Sequence, residues 1–127
     1  MTIEGLTDWL ERYFAAWRSN DPDEVAALFA ADAIYSYGPF REPSVGRDAI
    51  VARWVSETPT AFTYRYEPLA ALEHGGVAHW SVGFAHPTRA ETRVEVDGIL
   101  VLTFDDEGRC TEHREWYSSR EVPATPG

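Results

Sequence analysis

The chain has 127 residues, 44% of them hydrophobic, and a formal net charge of −10 from 21 acidic against 11 basic side chains. This length and apolar content predict one folded globule with a real core rather than a disordered chain. The acidic balance, with no clustering of arginines, excludes nucleic acid and an anionic membrane surface as partners, because both require a basic patch.

Leu6, Trp9, Leu10, Tyr13, Phe14 and Trp17 recur at i, i+3, i+4 and i+7, which predicts an amphipathic helix ending near Ser19-Asn20. Asp21-Pro22-Asp23-Glu24 reads as an N-cap, a first-turn proline and a capping-box glutamate, opening a short second helix that presents Val25, Leu28 and Phe29. Ala33 to Tyr37 is rich in β-branched and aromatic residues and predicts a strand. GPFREPSVG is a loop by its Gly and Pro content. GRDAIVARWVSE is a third helix carrying Ile50, Val51, Trp54 and Val55, stopped by Thr58-Pro59.

Four long strands follow. Phe62 to Glu73 alternates Phe62, Tyr64 and Tyr66 against Thr63, Arg65 and Glu67, with a bulge expected at Pro68. His74-Gly75-Gly76 is a turn, and Val77 to His86 alternates Ala78, Trp80, Val82 and Phe84 against His79, Ser81 and Gly83. Thr92 to Phe104 is a strand interrupted at Gly98, where a bulge or bend is expected. The DDEG turn leads into a last strand from Arg109 to Ser118, and VPATPG is a loose tail. The expected organisation is one domain over residues 1–120 with a flexible tail over 121–127.

Three helices followed by an antiparallel meander predict an α+β fold. A cone-shaped curved antiparallel sheet wraps around the long N-terminal helix and two shorter helices, leaving an internal pocket of the kind that holds small molecules. Five Trp, six Tyr and six Phe are more aromatic tips than a dry core requires. The single Cys110 excludes an intrachain disulfide framework and fits a reducing cytoplasm. The acidic start MTIEGLTDWLE has no signal-peptide pattern, and no stretch reaches the length of a membrane span, so a cytoplasmic location without membrane association is expected.

Three blocks in order, AAWRSNDPDEVAALFAADAIY, GPFREPSVGRDAI and LVLTFDDEGRCTEHREWY, resemble the nuclear transport factor 2-like superfamily in its SnoaL-like branch, over residues 5–118. The resemblance implies the cone fold but no single activity, because the superfamily holds isomerases, dehydratases, cyclases, epoxide hydrolases and carriers. Similarity to ketosteroid isomerases is instructive. Tyr13 falls on that family's hydrogen-bonding tyrosine, whereas the base position carries Tyr37 and the second-acid position Leu100. Two of three catalytic groups are absent, so that reaction is not implied. The same register places His113, Glu115 and Tyr117 on the cavity face, and Arg114 and Trp116 on the convex face where such proteins commonly dimerise. His79 and Ser81 share that convex face, so a homodimer through it is expected.

Glu115 is the candidate catalytic carboxylate, since surrounding Trp, Tyr and Leu desolvate it and raise its pKa toward proton-transfer range. His113 is its candidate partner, although side chains two apart on one strand start about 6.5–7 Å apart and meet only through long side chains or water. The structural alternative pairs Glu115 with Arg41 or Arg47. Tyr13, Tyr35 or Tyr37, and Tyr117 offer hydroxyl donors. Trp17, Trp54, Trp80, Phe84 and Leu100 supply pocket walls, with His86 at the mouth. No HxH, CxxC or helical histidine pair suggests a metal, and no glycine-rich phosphate loop or GxSxG elbow occurs. No cofactor is implied. Two functions fit: a cofactor-free acid–base isomerase, dehydratase or cyclase acting on a small hydrophobic or aromatic molecule, or a non-catalytic ligand-binding or dimerisation module.

Overall fold

A computed structural model describes residues 1–124. Its elements run α1 (Ile3–Ser19), α2 (Pro22–Ala26), β1 (Phe29–Ser36), β2 (Ser44–Val45), α3 (Arg47–Val55), β3 (Thr63–Leu72), β4 (Gly75–Ala85), β5 (Thr92–Phe104) and β6 (Cys110–Pro123). The six strands form one curved sheet in the order β2-β1-β6-β5-β4-β3, with the helices packed on its inner face. The α+β architecture expected from the sequence is the one observed. One detail differs: β1 runs parallel to β6, and only the remaining neighbours are antiparallel.

The helices begin where their caps dictate. Thr2 accepts a hydrogen bond from the Gly5 amide at the start of α1, and Asp21 accepts from the Asp23 and Glu24 amides at the start of α2. The capping box is relayed: Glu24 accepts from the Ser19 hydroxyl, whose oxygen accepts from the Asp21 amide. Asn20 closes α1 in the left-handed region at φ 56°. Its side-chain amide then donates to the Trp54 carbonyl at 3.1 Å and to the Thr58 hydroxyl at 3.0 Å, fixing the end of α3 against the end of α1.

Helix α1 buries Leu6, Trp9, Leu10, Tyr13 and Phe14 against the sheet. Phe14 stacks on Tyr64 and Tyr66 of β3, and the Trp9 indole donates to the Leu28 carbonyl. The second helix is shorter than its apolar spacing suggests: Leu28 lies beyond it and Phe29 begins β1, because both are buried on the sheet side. Gly75 and Gly76 belong to β4 rather than to a turn. A Cβ at Gly76 would come within 2.7 Å of the Leu6 methyls, so this glycine lets α1 approach the strand. The Pro68 irregularity is present as a register shift between Pro68 and Ala70.

Two further expectations are corrected. Strand β5 is continuous through Gly98, paired with Trp80 on one side and Tyr117 on the other without a register shift. The glycine supplies space rather than a bend: a Cβ there would strike the Trp116 carbonyl and come within 2.8 Å of the Tyr117 Cβ and 3.1 Å of the Trp80 ring. Strand β6 continues past Ser118 to Pro123, with Val122 opposite Arg93 and Pro123 opposite Thr92. The expected loose tail therefore does not begin at residue 121, and its last residues, 125–127, lie outside the described residues.

Gly98→Ala is expected to destabilise the protein by about 1–3 kcal/mol through overpacking, with Gly98→Val worse. Urea unfolding monitored by tryptophan fluorescence measures the loss, and an unchanged midpoint would remove the spatial role given to this glycine.

Candidate active site

The cavity face of β6 carries His113, Glu115 and Tyr117 in alternation. His113 is fully buried, Glu115 is 6% exposed, and Tyr117 is 41% exposed at the rim. Arg114 and Trp116 point the other way, with the Arg114 guanidinium 5.7 Å from the Trp116 ring. The inward face is set by register: His113 lies opposite Leu102 and beside Tyr35, and Glu115 lies opposite Leu100.

A cavity of about 310 Å³ opens between α1, α3 and the sheet. Trp17, Tyr35, Tyr37, Trp54, Trp80 and Phe84 form its walls, together with Glu115 and Tyr117. Leu100 and His86 do not line it. Leu100 is fully buried in the core. His86 instead organises the β4–β5 connection, accepting from the Thr88 and Arg89 amides through Nδ1 and meeting Glu121 through Nε2 at 3.1 Å. A larger trough of about 470 Å³ lies on the opposite face, but no buried titratable side chain lines it. Of its charged groups, Arg120 pairs with Glu95, Asp97 with His79, and Arg93 donates to the Ala61 carbonyl.

Tyr13 and His113 lie behind the cavity wall rather than in it. The Tyr13 hydroxyl is 2.7 Å from the Tyr35 hydroxyl and 3.0 Å from His113 Nε2, and the imidazole stacks on Tyr35 at 3.7 Å between ring centroids. His113 therefore partners Tyr13, and no hydrogen bond joins it to Glu115. Desolvation pushes the His113 pKa down to about 3, so the ring is neutral at ordinary pH. Burial also raises the Tyr13 and Tyr35 phenols well above their usual range, with the nearby Glu115 adding to the shift.

Among the described residues Glu115 has no ion-pair partner, and neither Arg41 nor Arg47 pairs with it. Burial raises its pKa to about 8, against a smaller opposing pull from Arg41. Arg41 donates instead to the Tyr117 hydroxyl. At neutral pH the cavity wall thus holds a protonated carboxylic acid, able to give a proton and then take one back. Among the described residues, no three His, Cys, Asp or Glu side chains come together as metal ligands.

Sequence reasoning missed several lining residues: Arg53, Glu57, Val94, Val96 and Ser119. Their signals were present. Arg53 and Glu57 have i, i+4 spacing beside Trp54, Val94 and Val96 share the parity of Gly98 and Leu100, and Ser119 continues the parity of Glu115 and Tyr117.

A family profile for the SnoaL-like domain matches residues 10–113. The chain belongs to the SnoaL-like domain family. By structure it is similar to SalBIII, an epoxide hydrolase/cyclase-like enzyme of pyran ring formation in salinomycin. The TM-score is 0.74 at 17% identity, covering 88% of this chain and 89% of that one. A ketosteroid isomerase from Mycobacterium sp. gives 0.77 at 15% identity, covering 93% and 98%. An LEH-like epoxide hydrolase from M. tuberculosis gives 0.68 at 17% identity, covering 87% and 80%. No curated protein matches the sequence. At such identities the likeness shows the fold alone, and each activity stays with its own protein. No helix among the described residues is long and apolar enough to cross a membrane.

Glu115 shapes the stability profile. Its folded pKa lies above the unfolded value, so its contribution is full below about pH 4 and is lost as pH rises through about 8. Glu115→Gln is expected to match the parent in acid and to exceed its stability near pH ~9, as read by chemical unfolding at both ends. Equal profiles for the two proteins would show that Glu115 is not buried as an acid.

Proposed function

We propose that this protein is a cofactor-free general acid–base enzyme acting on a small carbonyl compound, by isomerisation, dehydration or cyclisation. The observation that carries this reading is Glu115, a carboxylic acid in a cavity wall with no ion pair and a pKa raised to about 8 by desolvation. Structural carboxylates are normally paired or solvated, and a group perturbed by burial inside a cavity is the usual mark of a proton-transfer site.

Tyr35 supports the reading as the hydroxyl that meets the substrate. His113 Nδ1 has no hydrogen-bond partner. Placing the imidazole proton on Nε2 leaves a bare lone pair at Nδ1 instead of a buried orphan N–H, which is the less costly arrangement. His113 then donates to Tyr13, Tyr13 donates to Tyr35, and the Tyr35 O–H is released toward the cavity that it lines. In this scheme Glu115 protonates a leaving or accepting oxygen while Tyr35 holds the carbonyl. Tyr13 and His113 are positioning residues and touch no substrate. The ligand is hydrophobic or aromatic, in keeping with walls of Trp17, Trp54, Trp80 and Phe84.

Two further elements belong to the proposal. The protein pairs as a homodimer through the convex face, where Trp116 is 43% exposed, and it works in the cytoplasm. Light scattering that returns only a monomer at micromolar concentration would remove the dimer.

Carboxyl-carbon NMR of Glu115 is expected to titrate near pH 8; a midpoint near the ordinary ~4.3 would overturn the acid role. Turnover in a carbonyl-substrate screen should fall as pH rises through 8 and drop by about 10²-fold or more in Glu115→Gln. A ligand that binds without turnover in either protein would favour a simple binding module.

A further inference from the structure

The cavity wall has an unusual imbalance of donors and acceptors. All eleven basic residues of the chain are arginines, and two of them, Arg41 in the loop before β2 and Arg53 in the last turn of α3, line the cavity. Both guanidinium groups sit over the same Tyr37 ring, at 5.4 and 5.6 Å from its centroid. Among the described residues neither has a carboxylate partner, a state they share with Arg18, Arg47, Arg65 and Arg93, but of these six only Arg41 and Arg53 line this cavity. Arg41 spends one N–H on the Tyr117 hydroxyl, and Arg53 has no side-chain hydrogen bond among the described residues. Trp80 adds an aromatic panel to the same wall. Against these donors stand only two wall carboxyl groups, Glu57 at the rim and the protonated Glu115.

A wall so rich in donors recognises a ligand rich in acceptors. Two guanidinium groups lining one cavity beside the same tyrosine ring offer forked donors to the two oxygens of a carboxylate, while the aromatic walls match a flat ring. A volume of about 310 Å³ sits at the lower end of small-molecule sites and suits one or two fused rings. We propose that the ligand of this cavity is a compact planar molecule carrying a carboxylate, seated with that group between Arg41 and Arg53 and its ring system against Trp54 and Trp80. The inference names the substrate class of the acid–base reading and rests on that reading only for the proton on Glu115.

The bound anion and Glu115 are thermodynamically linked. The groups that act electrostatically on Glu115 or share its coupling are Arg41 from the loop and the phenols Tyr13, Tyr35 and Tyr37, while Arg53 of α3, Glu57 just beyond it and Tyr117 of β6 line the same cavity. His113 behind them is neutral. A carboxylate ligand is accepted beside neutral Glu115 and repelled once Glu115 ionises, so its affinity falls as pH rises.

Calorimetric titration with 2-naphthoate and its neutral counterpart 2-acetonaphthone tests the proposal. Near pH ~6 naphthoate should bind at least about tenfold more tightly than the ketone, the scale of one charge-assisted hydrogen bond. Arg53→Gln and Arg41→Gln should each weaken naphthoate by about tenfold and leave the ketone within about twofold, whereas Arg65→Gln on the opposite face should change neither. Equal affinities, no binding of either probe, or naphthoate binding indifferent to both cavity arginines would overturn it. A parent protein whose naphthoate affinity does not fall by about pH 9, with the arginine effects intact, would sink the protonated Glu115 and leave the ligand class standing.

Discussion

One buried phenol ties the molecule together. The Tyr13 hydroxyl reaches from the middle of α1 to β6 through His113 and to β1 through Tyr35, so a single polar atom joins the helix to the parallel pair β1–β6. Burying such a group without partners would cost more than its apolar ring gains, which makes this junction specific as well as stable. The aromatic ridge of α1 is placed by it: Trp9 stacks on Tyr13, Phe14 packs edge-on to it, and Trp54 approaches from α3. The cavity is what remains between that ridge and a sheet too curved to close onto it.

The charge states inside follow from the same desolvation. It opposes the imidazolium of His113 and the carboxylate of Glu115 alike, so both groups are neutral in the folded protein near neutral pH. Their roles diverge because their positions do. His113 is sealed behind Tyr35 and serves the hydrogen-bond chain, whereas Glu115, one register step along β6, meets open volume. Arg41 is close enough to temper Glu115 but is held by Tyr117, which keeps a cation at the rim without neutralising the acid.

Much of this was readable in the chain itself. The 3.6-residue spacing of α1, the Asp21 cap and the two-residue alternation of β4 each state which side chains are buried, because backbone geometry alone decides which residues share a face. Parity put His113, Glu115 and Tyr117 on one face, and the resemblance to the isomerases implied that this face looks inward. The errors cluster where local chemistry is ambiguous. Gly75, Gly76 and Gly98 read as turn or bend residues, yet Gly76 and Gly98 serve to remove a Cβ from a close approach, and only the neighbouring element reveals that. His86 has the right parity for the pocket but is captured by Glu121 from a strand that the sequence pattern ended too early.

The sequence by itself determined the α+β plan, the SnoaL-like resemblance and the inward face of β6, since periodicity, caps and motif order act over short stretches of chain. Tertiary structure alone decided that His113 belongs to Tyr13 instead of Glu115, that Glu115 stands unpaired among the described residues, and that Arg41 and Arg53 both lie beside Tyr37. Those are encounters between residues far apart in the chain, and their outcome depends on sheet curvature and desolvation, quantities that no local pattern encodes.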